Sequence, residues 1–291
     1  MKIGITANPG KPDALAIAER ACARLEGRAE VVVSDEDPRL APDRPHGPLS
    51  ELAPDVLIAV GGDGTFLFAL GRSEAPLLPI NAGTVGVLAE VDGRSTAALD
   101  GAMERLLSGR YFLEGRMKLA GQIGRHALPD AANEFVVHST PVGKMGLFEI
   151  AVDGTVAGHI RADGVIVATP TGSTGYSLSS LGPVVDPALD ALVLTTIAPF
   201  RLEPRSVVVD PLHTVRLKSI EEGRRALVIV DGQGEFPLAD GEGVTIYRSP
   251  RRATFVRFGS RFIERLSGKR ILPWSDGPDE AGPRADLPSP P

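Results

Sequence analysis

The segment Gly61-Gly62-Asp63-Gly64-Thr65 combines residue types that bind phosphate with one that can move a proton. It lies between two apolar runs, so it is predicted to be a tight turn between a buried strand and a helix. Unpaired backbone N–H groups at a helix start attract anions, and glycine lets the anion approach closely. Asp63 would repel that anion unless it accepts a proton from an attacking hydroxyl or holds a metal. The alternative is a plain turn in which Asp63 caps the helix.

The composition argues against several classes of protein. The 291 residues are 43% hydrophobic, which is enough for one large core or two smaller ones and argues against global disorder. A net charge of −6 argues against a nucleic-acid binder. The single cysteine cannot form an internal disulfide, and no apolar run has the length of a membrane span. With a first strand that begins at Lys2, where a signal peptide would lie, these features predict a soluble, cytoplasmic protein without membrane contact.

Strands and helices alternate over residues 1–110. The predicted strands are 2–6, 30–34, 55–60 and 76–80, and the predicted helices are 12–26 and 95–107. In the second helix, Ser95 is the expected N-cap, and Ala98, Met103 and Leu106 are expected to face the core. This alternation predicts an α/β domain with a doubly wound (Rossmann-like) parallel sheet. Ligands of such sheets bind beyond the carboxyl ends of the strands, where the Asp63 turn and a second glycine-rich turn, 81–86, both fall.

The pattern changes after residue 110 to short apolar runs separated by turn residues. These runs predict β-strands, and Asp153-Gly154 is a hairpin signal. Residues 111–254 are therefore predicted to form a largely all-β domain, after which 255–272 rejoin the first domain. Near the end, strands at 244–247 and 252–258 are predicted as separate elements, followed by a helix at 262–266. Residues 273–291 are rich in proline and charge, which predicts a disordered tail.

The block 161–179, RADGVIVATPTGSTGYSLS, closely resembles the signature of the ATP-NAD kinases (inorganic polyphosphate/ATP-NAD kinases). Segments 61–65, 81–88, 133–137 and 231–233 resemble motifs of the same family, in the same order. The first of these segments is also similar to diacylglycerol kinases, sphingoid lipid kinases and 6-phosphofructokinases, whereas the long block is highly specific. The similarity extends from about residue 1 to Trp274.

The resemblance implies an enzyme that transfers a phosphoryl group from ATP or polyphosphate to the 2′-hydroxyl of the adenosine ribose of NAD, giving NADP. It also implies a divalent metal, with Mg²⁺ as the expected ion. The histidines show no metal-ligand spacing and there is no P-loop motif, so the metal is expected to bind mainly through the donor phosphates. A homodimer or homotetramer is expected, and the many strand edges of the β domain favour the same conclusion.

The resemblance also assigns the site residues. Asp63 corresponds to the catalytic proton acceptor, Gly61, Gly62, Gly64 and Thr65 to the donor-phosphate loop, and Gly64 also lies beside NAD. The other residues expected to bind NAD are Asn133, Glu134, Lys144, Arg161, Asp163, Thr171, Thr174, Gly175, Tyr176, Ser177, Leu178, Ser179, Ala198 and Gln233. Asn133 and Glu134 can pair with a ribose diol, and Tyr176 can stack on a base. Each residue alone has an ordinary structural explanation, but the collective match favours the functional one.

Two positions depart from the family pattern, and two other functions stay open. Gly175 stands where the family usually has Ala, and Phe200 where many members have His, so the wall is more open and a polar contact is lost. A lipid or sugar kinase would share only the 61–65 loop, and a lipid kinase should carry a membrane-facing surface. A non-catalytic NAD-binding regulator would keep the fold, but the presence of Asp63 argues against it. The sequence does not distinguish ATP from polyphosphate as the donor, or NAD from NADH as the acceptor.

Overall fold

The computed structural model describes residues 1–36, 39–83, 86–141, 143–201, 205–221, 223, 225–239, 241–259 and 262–267. The predicted tail at 273–291 lies outside these residues, as do 268–272 and two residues of the second glycine turn, Thr84 and Val85. Within the described ranges, no helix is both long and apolar enough to cross a membrane. A cytoplasmic location stays a prediction.

The first part of the chain forms the predicted parallel sheet. Its strands are β1 (Lys2–Ala7), β2 (Glu30–Ser34), β3 (His46–Gly47), β4 (Val56–Gly61), β5 (Leu77–Asn81) and β6 (Val91–Asp92). They are all parallel, in the order β3-β2-β1-β4-β5-β6. Helices α1 (Pro12–Leu25) and α3 (Thr96–Leu107) pack on one face, and α2 (Asp63–Arg72) packs on the other. The helices on both faces explain why β4 and β5 are buried along their whole length.

The core-facing side of α3 differs from the prediction at one position. The Ser95 side chain accepts the N–H of Ala98 at 3.2 Å, so the predicted N-cap is confirmed. Met103 and Leu106 are buried as predicted, but Ala98 is exposed, and Leu99 is the fully buried residue of that turn. Leu99, Met103 and Leu106 have the spacing of a single helix face, whereas Ala98 lies about 100° further around the axis.

The rest of the chain is mostly β-structure. The strands are β7 (Phe112–Ile123), β8 (His126–Ala127), β9 (Glu134–Thr140), β10 (Gly146–Val152), β11 (Thr155–Ala162), β12 (Gly164–Ala168), β13 (Leu192–Ile197), β14 (Val207–Val209), β15 (Val215–Ser219), β16 (Arg225–Val230), β17 (Gly234–Leu238) and β18 (Gly243–Arg257). The helical elements are a 3₁₀ turn (Gly172–Thr174), α4 (Tyr176–Ser179) and α5 (Phe262–Ser267). Six antiparallel strands form a separate sheet, in the order β14-β13-β12-β9-β16-β17. The predicted combination of an α/β part and a β-rich part is confirmed.

A single strand joins the two parts. The elements predicted at 244–247 and 252–258 are one strand, β18, with an irregularity between Arg248 and Arg252. Its first half pairs with β15, and Phe255 near its end pairs in parallel with Leu77 of β5. The large sheet therefore contains 12 strands and continues from the α/β part into the β part. Because the sheet is continuous, the domain boundary near residue 110 stays a prediction.

Candidate active site

Asp63 is the first residue of α2, directly after the carboxyl end of β4. The N-cap position belongs to Gly62, so Asp63 does not have the capping role considered above. Its carboxylate instead accepts two backbone N–H groups, from Val87 to Oδ2 at 3.0 Å and from Leu88 to Oδ1 at 3.2 Å. These bonds tie the turn before α2 to the segment that follows the second glycine turn. They fix the orientation of the carboxylate.

The glycines of the loop have different environments. At Gly61 an added Cβ atom would lie 2.3 Å from Thr65 Oγ1, so only glycine lets the first turn of α2 fold back against β4. At Gly64, no described atom beyond the local helix lies within 4 Å of the Cβ position. The first N–H groups of α2 have no partner within the helix. An anion can therefore approach the loop from the side of Gly64.

Lys11, which is not among the predicted site residues, lies over both glycine turns. Lys11 Nζ is 3.8 Å from the Cβ position of Gly62 and 3.5 Å from that of Gly83. Lys11 is the N-cap residue of α1 and follows the turn after β1. The turns that follow β1, β4 and β5 therefore meet at its ammonium group. Only this juxtaposition marks the residue, because a lysine in a surface turn is unremarkable in sequence.

Asn133 and Glu134 present unpaired polar atoms. Asn133 Oδ1 and Glu134 Oε2 are buried and find no hydrogen-bond partner among the described residues. Glu134 is only 7% exposed. Burial, and secondarily the charge of Asp231, raises the pKa of its carboxyl group to about 8. Unpaired buried polar groups are costly in a folded protein, and a perturbed carboxyl group beside them is typical of a functional site.

The backbone of this pair is held by Asp231, which was not among the predicted site residues. The Asp231 carboxylate accepts the N–H groups of Ala132 and Asn133, both at 2.8 Å, and of Glu134 at 3.0 Å. Desolvation raises the pKa of the Asp231 carboxyl group, although these three bonds act in the opposite direction. The motif 231–233 was visible in the sequence, but nothing in it indicates which strand the carboxylate reaches.

The segment 171–179 packs against the same pair. At Gly172 a Cβ atom would lie 2.3 Å from the carbonyl oxygen of Asn133, so glycine is required for this approach. At Gly175 a Cβ atom would lie 3.2 Å from Asn133 Nδ2 and 3.3 Å from Glu134 Oε2. The absence of a methyl group at Gly175 therefore leaves space at the two side chains expected to meet the ribose.

The side chains of this segment differ in accessibility. Tyr176 is 41% exposed, Ser179 is exposed, and Thr174 and Leu178 are half-buried. Thr171 is 5% exposed. Ser177 is fully buried, and its hydroxyl group lies 3.0 Å from that of Thr195. The Ser177 side chain thus packs inside the protein, and only its backbone is left to meet a ligand.

Gln233 connects the β-rich part to the donor loop. Its Nε2 donates to the carbonyl oxygen of Gly64 at 3.0 Å, and its Oε1 accepts from Arg72 Nη1 at 3.4 Å. A cavity of about 250 Å³ lies beside this contact, and Asn8, Thr65, Phe68 and Gln233 are among its lining residues. Gln233, which is predicted to bind NAD, therefore also contacts the 61–65 loop directly.

Four predicted residues lie apart from these, and we call them the far group: Lys144, Arg161, Asp163 and Ala198. Backbone and side-chain bonds through Ser139, Ile197 and Phe200 keep them together beyond the start of β12. Glu134 pairs with Ala168 at the opposite end of β12. The six residue-to-residue steps from Asp163 to Thr169 span about 20 Å in extended chain. The structure therefore does not bring the far group together with Asp63, Asn133 and Glu134 within one subunit.

A buried charged network supports the segment that orients Asp63. Arg257 is 1% exposed, and its Nη1 donates to the carbonyl oxygen of Leu88 at 3.0 Å. Its guanidinium group also pairs with Glu114 at 2.6 Å and with Glu90 at 3.3 Å. Because the N–H of Leu88 donates to Asp63, Arg257 fixes the opposite side of the peptide segment that holds the carboxylate.

Comparisons with known proteins show which family the chain resembles. The chain matches the models of the ATP-NAD kinase N-terminal domain at residues 48–111 and the ATP-NAD kinase C-terminal domain at residues 132–258. An NAD kinase of Methanothermobacter thermautotrophicus is 37% identical over 280 residues, covering 93% of this chain and 96% of that protein. The structure of an Archaeoglobus fulgidus NAD kinase in complex with ATP gives a TM-score of 0.77 at 30% identity, covering 94% of this chain and 100% of that one. Yeast NADH kinase complexed with NADH has the same fold, with a TM-score of 0.82 at 23% identity and coverage of 95% and 89%.

Proposed function

This chain belongs to the ATP-NAD kinase family, and we propose that it transfers the γ-phosphoryl group of ATP to the 2′-hydroxyl of the adenosine ribose of NAD, giving NADP and ADP. The observation that carries this proposal is the pair of buried acceptors on Asn133 and Glu134 that have no partner among the described residues. The turn that holds their backbone also bonds to the loop of Asp63. Acceptor site and phosphate loop are thus physically linked.

The donor phosphates bind at the start of α2. The helix dipole and the unpaired N–H groups attract them, the open face of Gly64 admits them, and Lys11 supplies a positive charge. Among the described residues, no three His, Cys, Asp or Glu side chains gather into a metal site. A Mg²⁺ ion would be held mainly through the donor phosphates and water. When bound, it neutralises charge on the phosphates.

Asp63 receives the proton of the acceptor hydroxyl group. As the 2′-oxygen forms its bond to the γ-phosphorus, the bond from that phosphorus to the β–γ bridging oxygen breaks, and ADP leaves with the bonding electrons. The hydroxyl proton passes to the Asp63 carboxylate, whose orientation is fixed by the N–H groups of Val87 and Leu88. Most of the rate enhancement in such a reaction comes from positioning and charge stabilisation.

The acceptor binds along Asn133, Glu134 and the segment 171–179. The carboxamide of Asn133 and the carboxyl group of Glu134 bond to the ribose hydroxyls, and Tyr176 offers its exposed ring to a base. Thr171, Thr174, Gly175, the backbone of Ser177, Leu178 and Ser179 form the wall, and Gln233 closes it on the side of the loop.

The far group completes the site of a neighbouring subunit in a homodimer or homotetramer. The far group lies beyond the start of β12, whereas Glu134 pairs with Ala168 at the end of that strand, and β12 is buried along its whole length. The edges of the sheets supply surfaces for association, since unpaired strand edges are seldom left open. In such an oligomer, the far group of one subunit contacts the dinucleotide that is bound by Asn133 and Glu134 of a neighbouring subunit.

The two competing functions have less support. A lipid or sugar kinase was expected to share only the 61–65 loop, whereas the family models match both parts of the chain. A non-catalytic NAD-binding regulator has no need of a carboxylate held by two N–H groups at the phosphate loop. Polyphosphate remains the alternative donor, and NADH the alternative acceptor.

Incubation of the purified protein with NAD, ATP and MgCl₂ tests the proposal. NADP is measured with an NADP-specific dehydrogenase and ADP in a coupled assay, with a reaction lacking NAD as the control for ATP hydrolysis. We expect NADP and ADP in equal amounts. Parallel reactions with polyphosphate and with NADH identify the preferred substrates. If no combination of donor and acceptor gives NADP or NADPH, the proposal is wrong.

A further inference from the structure

We propose that Asp231 is a positioning residue that sets how the pair Asn133 and Glu134 stands relative to the phosphate loop. The inference rests on the proposed function and adds a residue that acts through others. Asp231 has no assigned contact with NAD or ATP, and its carboxylate is occupied by backbone groups. Its effect on the reaction passes through the peptide segment that it holds.

The geometry is a carboxylate that receives three successive N–H groups. Oδ1 accepts from Asn133 and Glu134, and Oδ2 accepts from Ala132. The donors are 97 to 99 residues away in sequence, so these bonds are tertiary contacts and not part of a local turn. Three bonds to one rigid carboxylate fix the direction in which both side chains leave the backbone.

The same turn also holds the other half of the site. Asp231 adopts a φ of 49°, and Gly232 a φ of 67°, in the connection between β16 and β17. Two residues later, Gln233 bonds to the carbonyl oxygen of Gly64 and to Arg72 of α2. One short turn therefore contacts the acceptor pair at one end and the donor loop at the other. A displacement of this turn changes the distance between the ribose and the transferred phosphoryl group.

The charge of Asp231 has a second consequence at Glu134. After burial, Asp231 is the other cause of the raised pKa of the Glu134 carboxyl group. Removing that charge lowers the pKa of the Glu134 carboxyl group. The part of the pH profile of kcat/KM that follows the ionisation of Glu134 should therefore move to lower pH. A residue that served only to hold the fold would leave the profile of correctly folded enzyme unchanged.

The chain contains a matched control. Asp153 also begins an Asp-Gly turn, with a φ of 48°, and its carboxylate accepts the N–H of Thr214 at 2.8 Å and faces His213 Nδ1 at 2.6 Å. This turn joins β10 to β11 and has no assigned part in the site. Asp153→Asn therefore reports the effect of the same chemical change at an equivalent turn elsewhere.

The experiment compares the wild type with Asp231→Asn, Asp231→Glu and Asp153→Asn. Asp231→Asn replaces one accepting oxygen by an NH₂ group that faces an N–H donor. We expect the KM for NAD to rise about 10-fold or more, while the KM for ATP stays within about twofold. The pH profile of kcat/KM for NAD should shift to lower pH in Asp231→Asn. Asp231→Glu keeps the charge but moves it, so the KM for NAD should rise without that shift.

Combination with Asn133→Ala separates a positioning role from a general loss of stability. If Asp231 acts through the pair, Asp231→Asn should add little to the KM change that Asn133→Ala already causes. Thermal unfolding shows that each variant is folded, and should Asp231→Asn not fold, Asp231→Glu supplies the same test of KM. An unchanged KM for NAD in a folded Asp231 variant, or full additivity with Asn133→Ala, would overturn the inference.

The proposed function and this inference fail in different ways. Absence of both NADP and NADPH formation by the wild type, with every combination of donor and acceptor, refutes the function. NAD affinity measured by calorimetry in the same variants then still tests Asp231, because its effect is on binding of the acceptor. Equal affinity in the wild type, Asp231→Asn and Asp153→Asn would show that Asp231 is an ordinary turn residue.

Discussion

At the scale of single residues, the candidate site depends on side chains whose surroundings prepare them for a ligand. Asp63 is fixed by two N–H groups from a different turn, and Glu134 is buried without a partner for Oε2 among the described residues. Neither arrangement follows from residue type alone. The same holds for Lys11, which is an ordinary surface lysine except for the position of its ammonium group between two glycine turns.

Lys11 is predicted to bind the donor and not the acceptor. In Lys11→Met, the loss of one charge at the phosphate site should raise the KM for ATP about 10-fold, with the KM for NAD nearly unchanged. Steady-state kinetics with each substrate varied in turn measures both constants. Lys218→Met, on β15, is the control and should leave both constants unaltered. An equal rise in the two KM values would contradict donor binding by Lys11.

Glu134 is predicted to make the stability of the protein depend on pH. The pKa of its carboxyl group is raised from an ordinary value of 4.5 to about 8 in the folded state. Between these values the folded protein keeps the proton while the unfolded chain has lost it, so the free energy of unfolding falls as pH rises. The slope is about 1.4 kcal/mol per pH unit over this interval and vanishes below it.

Urea unfolding at pH 5 and pH 8 measures this effect. Glu134→Gln should remove the slope contributed by this residue. The free energy of unfolding of the variant should therefore increase relative to that of the wild type as pH rises from 5 to 8. The exposed Glu235→Gln is the control and should follow the wild type. A Glu134→Gln variant that loses stability with pH as steeply as the wild type would show that Glu134 is ionised in the fold.

At the scale of elements, local sequence pattern predicted where most strands and helices lie. Buried strands such as β1 and β4 are continuous apolar runs, and α1 and α3 begin at Pro12 and after Ser95 as their start signals predict. The pattern failed where tertiary contacts decide. The irregularity in β18 looked like a break between two strands, because the pairing with β7 that continues past it is not visible locally. The inward turn of Leu99 instead of Ala98 likewise depends on the packing of α3 against α1.

The site was predictable to a similar extent. Family resemblance identified the residues of the motifs, but no pattern indicated that Asp231 reaches Ala132, Asn133 and Glu134, or that Lys11 lies above the loop. Those contacts depend on which strands become neighbours. Resemblance also did not show that the far group lies at the opposite end of β12 from Glu134.

Gly172 is predicted to be indispensable for the wall of the acceptor site. Its Cβ position is 2.3 Å from a backbone oxygen of Asn133, so Gly172→Ala must displace one of the two segments. We expect a loss of about 1–3 kcal/mol in the free energy of unfolding and a raised KM for NAD. Gly101→Ala is the control: no described atom beyond the local helix lies within 4 Å of its Cβ position in α3, and it should be neutral or stabilising. Wild-type stability and KM in Gly172→Ala would contradict the close approach.

At the scale of the whole molecule, one 12-stranded sheet connects the phosphate loop to the β-rich part. Arg257 at the end of β18 bonds to Leu88, and Gln233 reaches back to Gly64. Donor loop and acceptor wall are therefore joined by covalent, sheet and side-chain contacts, which favours a site of fixed geometry. In the proposed oligomer, the remaining residues of the wall come from a second copy of the chain.

Mixing of two inactive variants tests whether sites are shared between subunits. Asp63→Asn lacks the proton acceptor, and Asp163→Ala lacks a member of the far group. If each site combines Asp63 of one subunit with Asp163 of another, a mixed dimer contains one intact site. Random reassociation of an equal mixture should then recover on the order of one quarter of wild-type activity. Light scattering showing a fully active monomer, or mixed oligomers without any gain, would refute the shared site.

The central claim is that Asp63 accepts the proton of the ribose hydroxyl, and Asp63→Asn tests it most directly. The amide keeps the size of the side chain and one accepting oxygen for the N–H groups of Val87 and Leu88, but it removes the basicity. Turnover of NAD with ATP and MgCl₂ is measured beside NAD affinity by calorimetry, in protein whose unfolding temperature matches that of the wild type. We expect kcat to fall by about 10²–10⁴ with nearly unchanged NAD affinity. Near-normal kcat in the folded variant would contradict it and make Asp63 a structural turn residue.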